Sequence, residues 1–215
     1  MSDRLQKALK HQYIYMPRAT GKDTLALGMH VGLAVAREHR ARLTVLSVPK
    51  GGAAHHAELA KLPIVTERSG SVPDRGVVLA WCPRHKTTEK LQHLESSVVV
   101  LVEWIPDEMA AWAKLHKAYN FVTGEIMDAG LDEETTGLPQ RIVAEGYNGW
   151  TKSTDVTMTK SYIRDLSKTG SYDRNMILAY ARQTKHETSV QRLVKILDEV
   201  DKTRPSDDPP QRWVL

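Results

Sequence analysis

Short apolar runs rich in valine and leucine alternate with segments of helical hydrophobic spacing along the first 150 residues of the chain. This alternation is typical of a parallel sheet whose strands are joined by crossover helices. The runs do not alternate in polarity, which indicates that both faces of the sheet are covered. The clearest predicted strands are Tyr13–Met16, Leu43–Val48, Gly76–Trp81, Ser97–Val102 and Asn120–Thr123, and weaker candidates are Pro63–Thr66 and Arg141–Ala144.

Helices are predicted in the segments between these strands. The first is apolar on nearly every side over residues 25–36, so we expect it to be buried against the sheet. Gly28 and Gly32 lie four residues apart on one face of it, a spacing that favours close packing of helix on sheet. The predicted helices are Asp23–His39, Ala53–Leu62, Thr87–Leu94 and Pro106–Tyr119.

The pattern changes in the C-terminal third of the chain. Residues 124–140 are acidic and rich in turn formers, which indicates a surface loop or a short helix. Residues 158–201 are predicted to form helices that are separated by breaks near Gly170 and Lys185. The sequence therefore predicts an α/β domain with a mostly parallel, Rossmann-like sheet of five or more strands over residues 1–150, a helical appendage over 151–202 and a flexible tail over 203–215.

The composition is that of an ordinary globular protein, with 41% hydrophobic and 26% charged residues in a chain of 215. Cys82 is the single cysteine, which excludes an intramolecular disulfide and favours a reducing compartment. The N-terminal segment MSDRLQKALKHQ lacks an apolar signal core, and the longest apolar stretch, Leu25–Ala36, is too short to cross a bilayer. We therefore expect a cytoplasmic protein without a membrane partner.

The net charge of +4 is distributed unevenly. Residues 1–50 carry 9 basic and 3 acidic groups, a net charge of +6, whereas residues 101–150 carry 3 and 9, a net charge of −6. Residues 151–215 carry 12 basic and 9 acidic groups, a net charge of +3. Basic segments on either side of an acidic middle suit an anionic ligand or a charge-complementary partner.

The loop after the first strand, PRATGKDT over residues 17–24, carries the strongest signal for a binding site. A strand, a loop and a helix N-terminus form the arrangement in which α/β folds bind phosphate, because unpaired helix amides and the helix dipole favour an anion. A Walker A motif requires glycine where Met16 stands and serine or threonine where Asp23 stands. The loop therefore suggests a phosphate cradle without matching that motif, and it contains no GxGxxG.

Residues 14–48 resemble the first βαβ unit of the universal stress protein family. IYMP corresponds to the first strand of that family, and AVAREHRARLTVLSV corresponds to its alanine-rich helix and second strand. The resemblance implies an α/β fold of five parallel strands that commonly dimerises and has ATP-binding and non-binding branches. Ala19 stands where the binding branch has an acidic nucleotide contact, and the glycine-rich phosphate loop of the family is absent.

The leading hypothesis is a non-catalytic protein that binds a nucleotide such as ATP, or another anion, at the C-terminal edge of the sheet. Loops 18–24, 49–52 and 82–88 would surround the ligand, with helix amides and two cations holding the phosphates and glycines permitting close backbone approach. A homo-oligomer, such as a dimer, is expected. The candidate cofactor-binding residues are Thr20, Gly21, Lys22, Thr24, Gly51, Gly52 and Arg84.

A second hypothesis assigns DNA binding and a regulatory function to residues 172–200. The segment ARQTKHETSVQRLVKIL resembles a helix-turn-helix, although Thr184 replaces the usual turn glycine and Tyr180 the usual alanine. Residues 151–195 carry 9 basic and 4 acidic groups, which suits phosphate contacts. The alternative is a helical subdomain that caps the sheet or forms a dimer contact. The groove-facing residues would be Lys185, His186, Thr188, Ser189, Gln191 and Arg192.

A third hypothesis is an enzyme in which His85 activates Cys82, just past the end of a strand. No glycine-rich oxyanion turn surrounds the cysteine, so a non-catalytic protein is favoured. No metal site is expected at His55 and His56, because adjacent residues on a helix point about 100° apart. Trp104 and Trp112 are interpreted as core or dimer-contact residues.

Overall fold

The computed structural model describes residues 3–19, 23–128 and 133–203. The chain forms two compact units, Met1–Gly130 and Leu131–Leu215. The division therefore falls earlier than residue 150, because the helix that follows residue 132 packs with the C-terminal helices. The predicted tail beyond Thr203 lies outside the described residues.

The first unit contains a six-stranded, all-parallel sheet in the order β3-β2-β4-β5-β1-β6. The prediction of a Rossmann-like α/β fold with five or more parallel strands is confirmed. The last residues of five strands lie in register, so the loops that follow them leave from the same edge. The strands are β1 (Tyr13–Met16), β2 (Leu43–Ser47), β3 (Ile64–Thr66), β4 (Arg75–Trp81), β5 (Ser96–Val102) and β6 (Tyr119–Asn120).

Helices cover both faces of this sheet, and each face has its own apolar core. Helices α1 (Asp3–Ala8), α2 (Thr24–Glu38) and α3 (Lys50–Ala54) contribute to the core on one face. Helix α4 (His85–Thr88) is followed by Leu91, which belongs to the core on the opposite face. That core also contains residues of α5 (Ala110–Leu115).

Helix α2 lies directly on the sheet. Its N-cap, Asp23, accepts a hydrogen bond from the amide of Ala26 at 3.0 Å, which satisfies one of the unpaired amides of the first turn. A Cβ atom placed on Gly28 would lie 2.5 Å from a Cγ atom of Val102, and one on Gly32 would lie 3.0 Å from a Cδ atom of Leu79. The predicted role of the two glycines in close helix–sheet packing is confirmed.

The other crossover helices are shorter than predicted. The predicted helix Ala53–Leu62 is α3 followed by a 3₁₀ turn at Leu59–Lys61, and Thr87–Leu94 is α4 followed by another at Glu89–Leu91. The helix predicted from Pro106 begins only at Ala110, because Asp107 adopts a left-handed φ of 63° that interrupts a helix.

The second unit consists of helices packed around a separate apolar core. The predicted strand Arg141–Ala144 is wrong, because this short apolar run lies within a helix and its length is compatible with either structure. The predicted breaks near Gly170 and Lys185 are confirmed, and Gly170 has the left-handed φ of 72° that favours glycine at a helix end. The helices are α6 (Glu133–Glu145), α7 (Ser153–Lys168), α8 (Arg174–Thr184) and α9 (Glu187–Thr203).

Within the described parts of the chain, no helix has the length and apolar character needed to cross a membrane.

Candidate functional site

The strand order creates two crevices at the carboxyl edge of the sheet. The chain leaves β1 and β2 towards the face covered by α2 and α3, and it leaves β4 and β5 towards the face covered by α5. Because β1 lies beside β5, and β2 beside β4, neighbouring loops turn to opposite faces at both places. Open α/β sheets bind their ligands in crevices of this kind.

Glu103 lies at the base of the crevice between β1 and β5. It directly follows β5 and is 1% exposed. One carboxylate oxygen accepts a hydrogen bond from the amide of Arg18 at 3.1 Å, and the other accepts one from the amide of Met109 at 2.8 Å. A single buried carboxylate therefore connects the loop after β1 with the loop after β5.

Two opposing effects act on the ionisation of Glu103. Burial raises the pKa of its carboxyl group, while the hydrogen bonds from Met109 and Arg18 oppose that shift by stabilising the ionised form. The buried hydroxyl of Tyr15 lies near the Glu103 carboxylate without forming a hydrogen bond of ordinary geometry. Burial is the main cause that raises the pKa of Tyr15, and the charge of Glu103 adds to it. This hydroxyl therefore stays protonated.

Trp104 and Arg18 form the accessible part of the same crevice. The guanidinium carbon of Arg18 lies 5.1 Å from the centre of the Trp104 ring, within the range of a cation–π contact. Trp104 is 51% exposed and is therefore not a core residue, whereas Trp112 of α5 is buried. An indole face and a cation thus meet at the point where the sheet topology predicts a ligand.

The loop predicted to hold phosphate is described only at its two ends. Thr20, Gly21 and Lys22 lie outside the described residues. Thr24 is the first residue of α2, and it is fully buried. Its hydroxyl has no hydrogen-bond partner among the described residues.

The loop predicted over residues 49–52 is instead mostly helical, since Gly51 and Gly52 belong to α3. A side chain at Gly51 would meet no atom within 4 Å, whereas one at Gly52 would lie 3.3 Å from the hydroxyl oxygen of Ser47. Gly51 therefore has open space beside it, while Gly52 packs against the end of β2.

Arg84 lies at the carboxyl edge, where the sequence placed it, but its charge is paired. Its Nε atom is 2.9 Å from a carboxylate oxygen of Glu108, in the loop after β5. The neighbouring Lys86 is 3.3 Å from a carboxylate oxygen of Glu67. These ion pairs leave Arg84 and Lys86 less available to a phosphate than their sequence suggested.

Cys82 follows β4 with a left-handed φ of 50° and is half-buried. Burial raises the pKa of its thiol to about 11, against an opposing effect of the Arg18 charge. With such a pKa, only about one thiol in ten thousand is ionised at pH 7, which does not favour a nucleophile. Among the described residues, no group of three or more histidine, cysteine or acidic side chains could hold a metal ion.

Of the six residues predicted to face a DNA groove, Lys185 and His186 lie in the turn between α8 and α9, and the other four lie in the first turns of α9. The guanidinium of Arg192 donates a hydrogen bond to the carbonyl oxygen of Gly149 at 3.1 Å. The side-chain amide of Gln191 donates one to the carboxylate of Glu187 at 2.6 Å, and the hydroxyl of Ser189 packs against Gly149. His186 and Thr188 are exposed, and Lys185 is half-buried.

Sequence reasoning missed Glu103, although a signal was present. A glutamate stands directly after the apolar strand SSVVVLV, at the edge where α/β proteins place their functional side chains. An acidic residue in that position is a candidate for a buried, functional carboxylate.

No protein-family model, curated protein or solved structure matches the chain. Function is therefore inferred from the chemistry of the site itself.

Proposed function

We propose that the first unit is a non-catalytic binding domain, which holds a nucleotide or a similar anion with a planar ring in the crevice between β1 and β5. The observation that carries this proposal is the contact between Arg18 and the half-exposed ring of Trp104 at that crevice. The indole would stack on the planar ring, and the guanidinium would bind the anionic group in a bidentate manner.

The surroundings of these two residues support the same function. Arg18 forms no ion pair with any carboxylate of the described residues, so its charge is available to a ligand. The hydrogen bond from its amide to the buried Glu103 fixes the backbone that carries it. Lys22 follows in the same loop of the sequence, and we retain it as a second phosphate contact.

Thermal unfolding of the full chain with a panel of nucleotides, with and without magnesium, tests the proposal. A ligand present at about 100 times its dissociation constant adds about 2.7 kcal/mol of stability, which raises the unfolding midpoint measurably. We expect at least one nucleotide to produce this rise, and isothermal titration then gives its dissociation constant.

Matched variants locate the site. Trp104→Ala should weaken binding about 5- to 150-fold, which corresponds to the loss of one stacking contact, and Arg18→Gln should weaken it through the anionic group. Arg37→Gln removes an exposed arginine in the last turn of α2 and should leave the affinity unchanged. The proposal is wrong if no nucleotide raises the midpoint, or if Trp104→Ala and Arg18→Gln bind with the affinity of the unaltered protein.

A further inference from the structure

We infer that the second unit carries a binding surface for single-stranded nucleic acid, which is independent of the crevice in the first unit. The surface is formed by the segment 147–152, by Lys185 at the end of α8 and by the first half of α9, and we name it the loop–α9 surface. Its functional residues are Tyr147, Lys152, Lys185, Arg192 and Lys195.

The loop and the helix are joined by direct contacts at Gly149. Arg192 donates a hydrogen bond to the Gly149 carbonyl at 3.1 Å, and a Cβ atom on Gly149 would lie 2.5 Å from the hydroxyl oxygen of Ser189. The backbone of the loop therefore lies against α9. Tyr147 precedes Gly149 by two residues and Lys152 follows it by three, so the backbone that carries both is joined to α9 at Gly149.

The cations of this surface are not neutralised by ion pairs. Arg192 and Lys195 follow Thr188 at four and seven residues, a spacing that places all three on one face of α9. Together with Lys152 and Lys185 they provide four positive charges, none of which is paired with a carboxylate of the described residues.

Three other cations of the same unit are paired, so their charges are less available to a phosphate. Lys160 lies 2.6 Å from Glu199, Lys168 lies 3.0 Å from Asp165, and Arg174 contacts two carboxylates of α9.

The acidic groups near the loop–α9 surface are hydrogen-bonded within their own helices. Glu187 accepts a hydrogen bond from the side-chain amide of Gln191, and Asp155 accepts one from the hydroxyl of Thr154. Neither acid forms an ion pair with the four cations, and the four cations and two acids together leave a net charge of +2, which favours phosphates.

The exposed ring of Tyr147 favours a single strand as the partner. Its side chain is 85% exposed, the highest value among the large hydrophobic residues of the described chain. An exposed aromatic ring among cations is the arrangement with which proteins bind unpaired bases, because the ring stacks on a base while the cations follow the backbone. The bases of a duplex already stack on each other, so a duplex offers no partner to this ring.

Fluorescence anisotropy of the full chain with labelled oligonucleotides tests this inference. The probes are a single-stranded DNA, a single-stranded RNA and a DNA duplex of equal length. We expect both single strands to bind more tightly than the duplex. Tighter binding of the RNA than of the single-stranded DNA would indicate that the 2′-hydroxyl of the sugar is recognised. Binding should weaken as salt rises from about 50 to 200 mM, because phosphate contacts release counterions.

Four variants separate stacking from charge. Tyr147→Ala should weaken binding about 5- to 150-fold while Tyr147→Phe retains it, because phenylalanine keeps the stacking ring. Lys195→Gln should reduce the slope of log affinity against log salt by about 0.7. Lys168→Gln alters a lysine that is paired with Asp165 and should change neither quantity.

Three results would overturn the inference. These are the absence of salt-dependent binding to either single strand, tighter binding to the duplex, and an affinity that is the same for Tyr147→Ala as for the unaltered protein. Tighter duplex binding would instead favour the helix-turn-helix hypothesis for residues 172–200.

Discussion

Gly28 allows α2 to lie directly on β5, and Gly28→Ala tests this contact. The added methyl group would lie 2.5 and 2.8 Å from the two Cγ atoms of Val102, whereas carbon atoms pack at about 3.5–4.0 Å. Val102 is fully buried, so relief requires the helix or the strand to shift. Overpacking of this kind destabilises by about 1–3 kcal/mol, and the higher helix propensity of alanine offsets about 1 kcal/mol.

We therefore expect Gly28→Ala to reduce the free energy of unfolding by up to about 2 kcal/mol. Two other glycines provide graded controls. A methyl at Gly32 would lie 3.0 Å from the end of the flexible Leu79 side chain, so Gly32→Ala should be close to neutral. Gly137 of α6 has nothing within 4 Å of an added Cβ, so Gly137→Ala should stabilise by about 0.5–1 kcal/mol.

Urea unfolding followed by circular dichroism measures these differences, with the midpoints compared at constant m value. In the double variant Gly28→Ala with Val102→Ala, the new methyl group occupies space that valine leaves. The loss of stability should then be smaller than the sum of the two single losses. If Gly28→Ala stabilised the protein as much as Gly137→Ala, the close contact between α2 and β5 would be refuted.

Two further predictions concern groups whose pKa is shifted by burial. Because burial raises the pKa of Cys82 to about 11, its alkylation by iodoacetamide at neutral pH should be far slower than that of a free cysteine and should accelerate as the pH rises towards 11; equal rates at pH 8 would contradict this. Burial lowers the pKa of His116 to about 4, from the ordinary value of 6.5, in a cluster with the rings of Tyr13 and Trp112. The unfolded chain then binds a proton that the native state does not between these values, so His116 should make the protein less stable as the pH falls from 6.5 to 4; His116→Phe should flatten that part of the unfolding profile, and an unchanged profile would show that His116 is not buried in its neutral form.

The bounds of single strands and helices were predicted better from the sequence than the order of the strands in the sheet. The bounds of β1 match the prediction, and α2 differs by one residue at each end, because a sustained apolar period and the cap at Asp23 define it. The strand order was not predictable, since β1 pairs with β5 through contacts that no local pattern records. For the same reason the ion pair between Arg84 and Glu108 could not be seen in the sequence.

The candidate site was predicted only as an edge of the sheet. Its position follows from the parallel strands, but its chemistry depends on residues from separate loops, such as Arg18 and Trp104. Trp104 was assigned to the core or to a dimer contact because aromatic residues are usually buried, and only its position after β5 exposes it. The universal stress protein resemblance, the homo-oligomer and the cytoplasmic location stay predictions.

The position of β1 determines when this domain can fold as it leaves the ribosome. Tyr13 pairs with Val99 and Ile14 pairs with Tyr119, so β1 cannot pair with another strand until most of the unit has been synthesised. Non-local pairing of this kind slows folding and keeps an apolar segment accessible to chaperones. Since the proposed ligand crevice lies between β1 and β5, it is assembled only by this late pairing, and a chain released before β5 has no crevice.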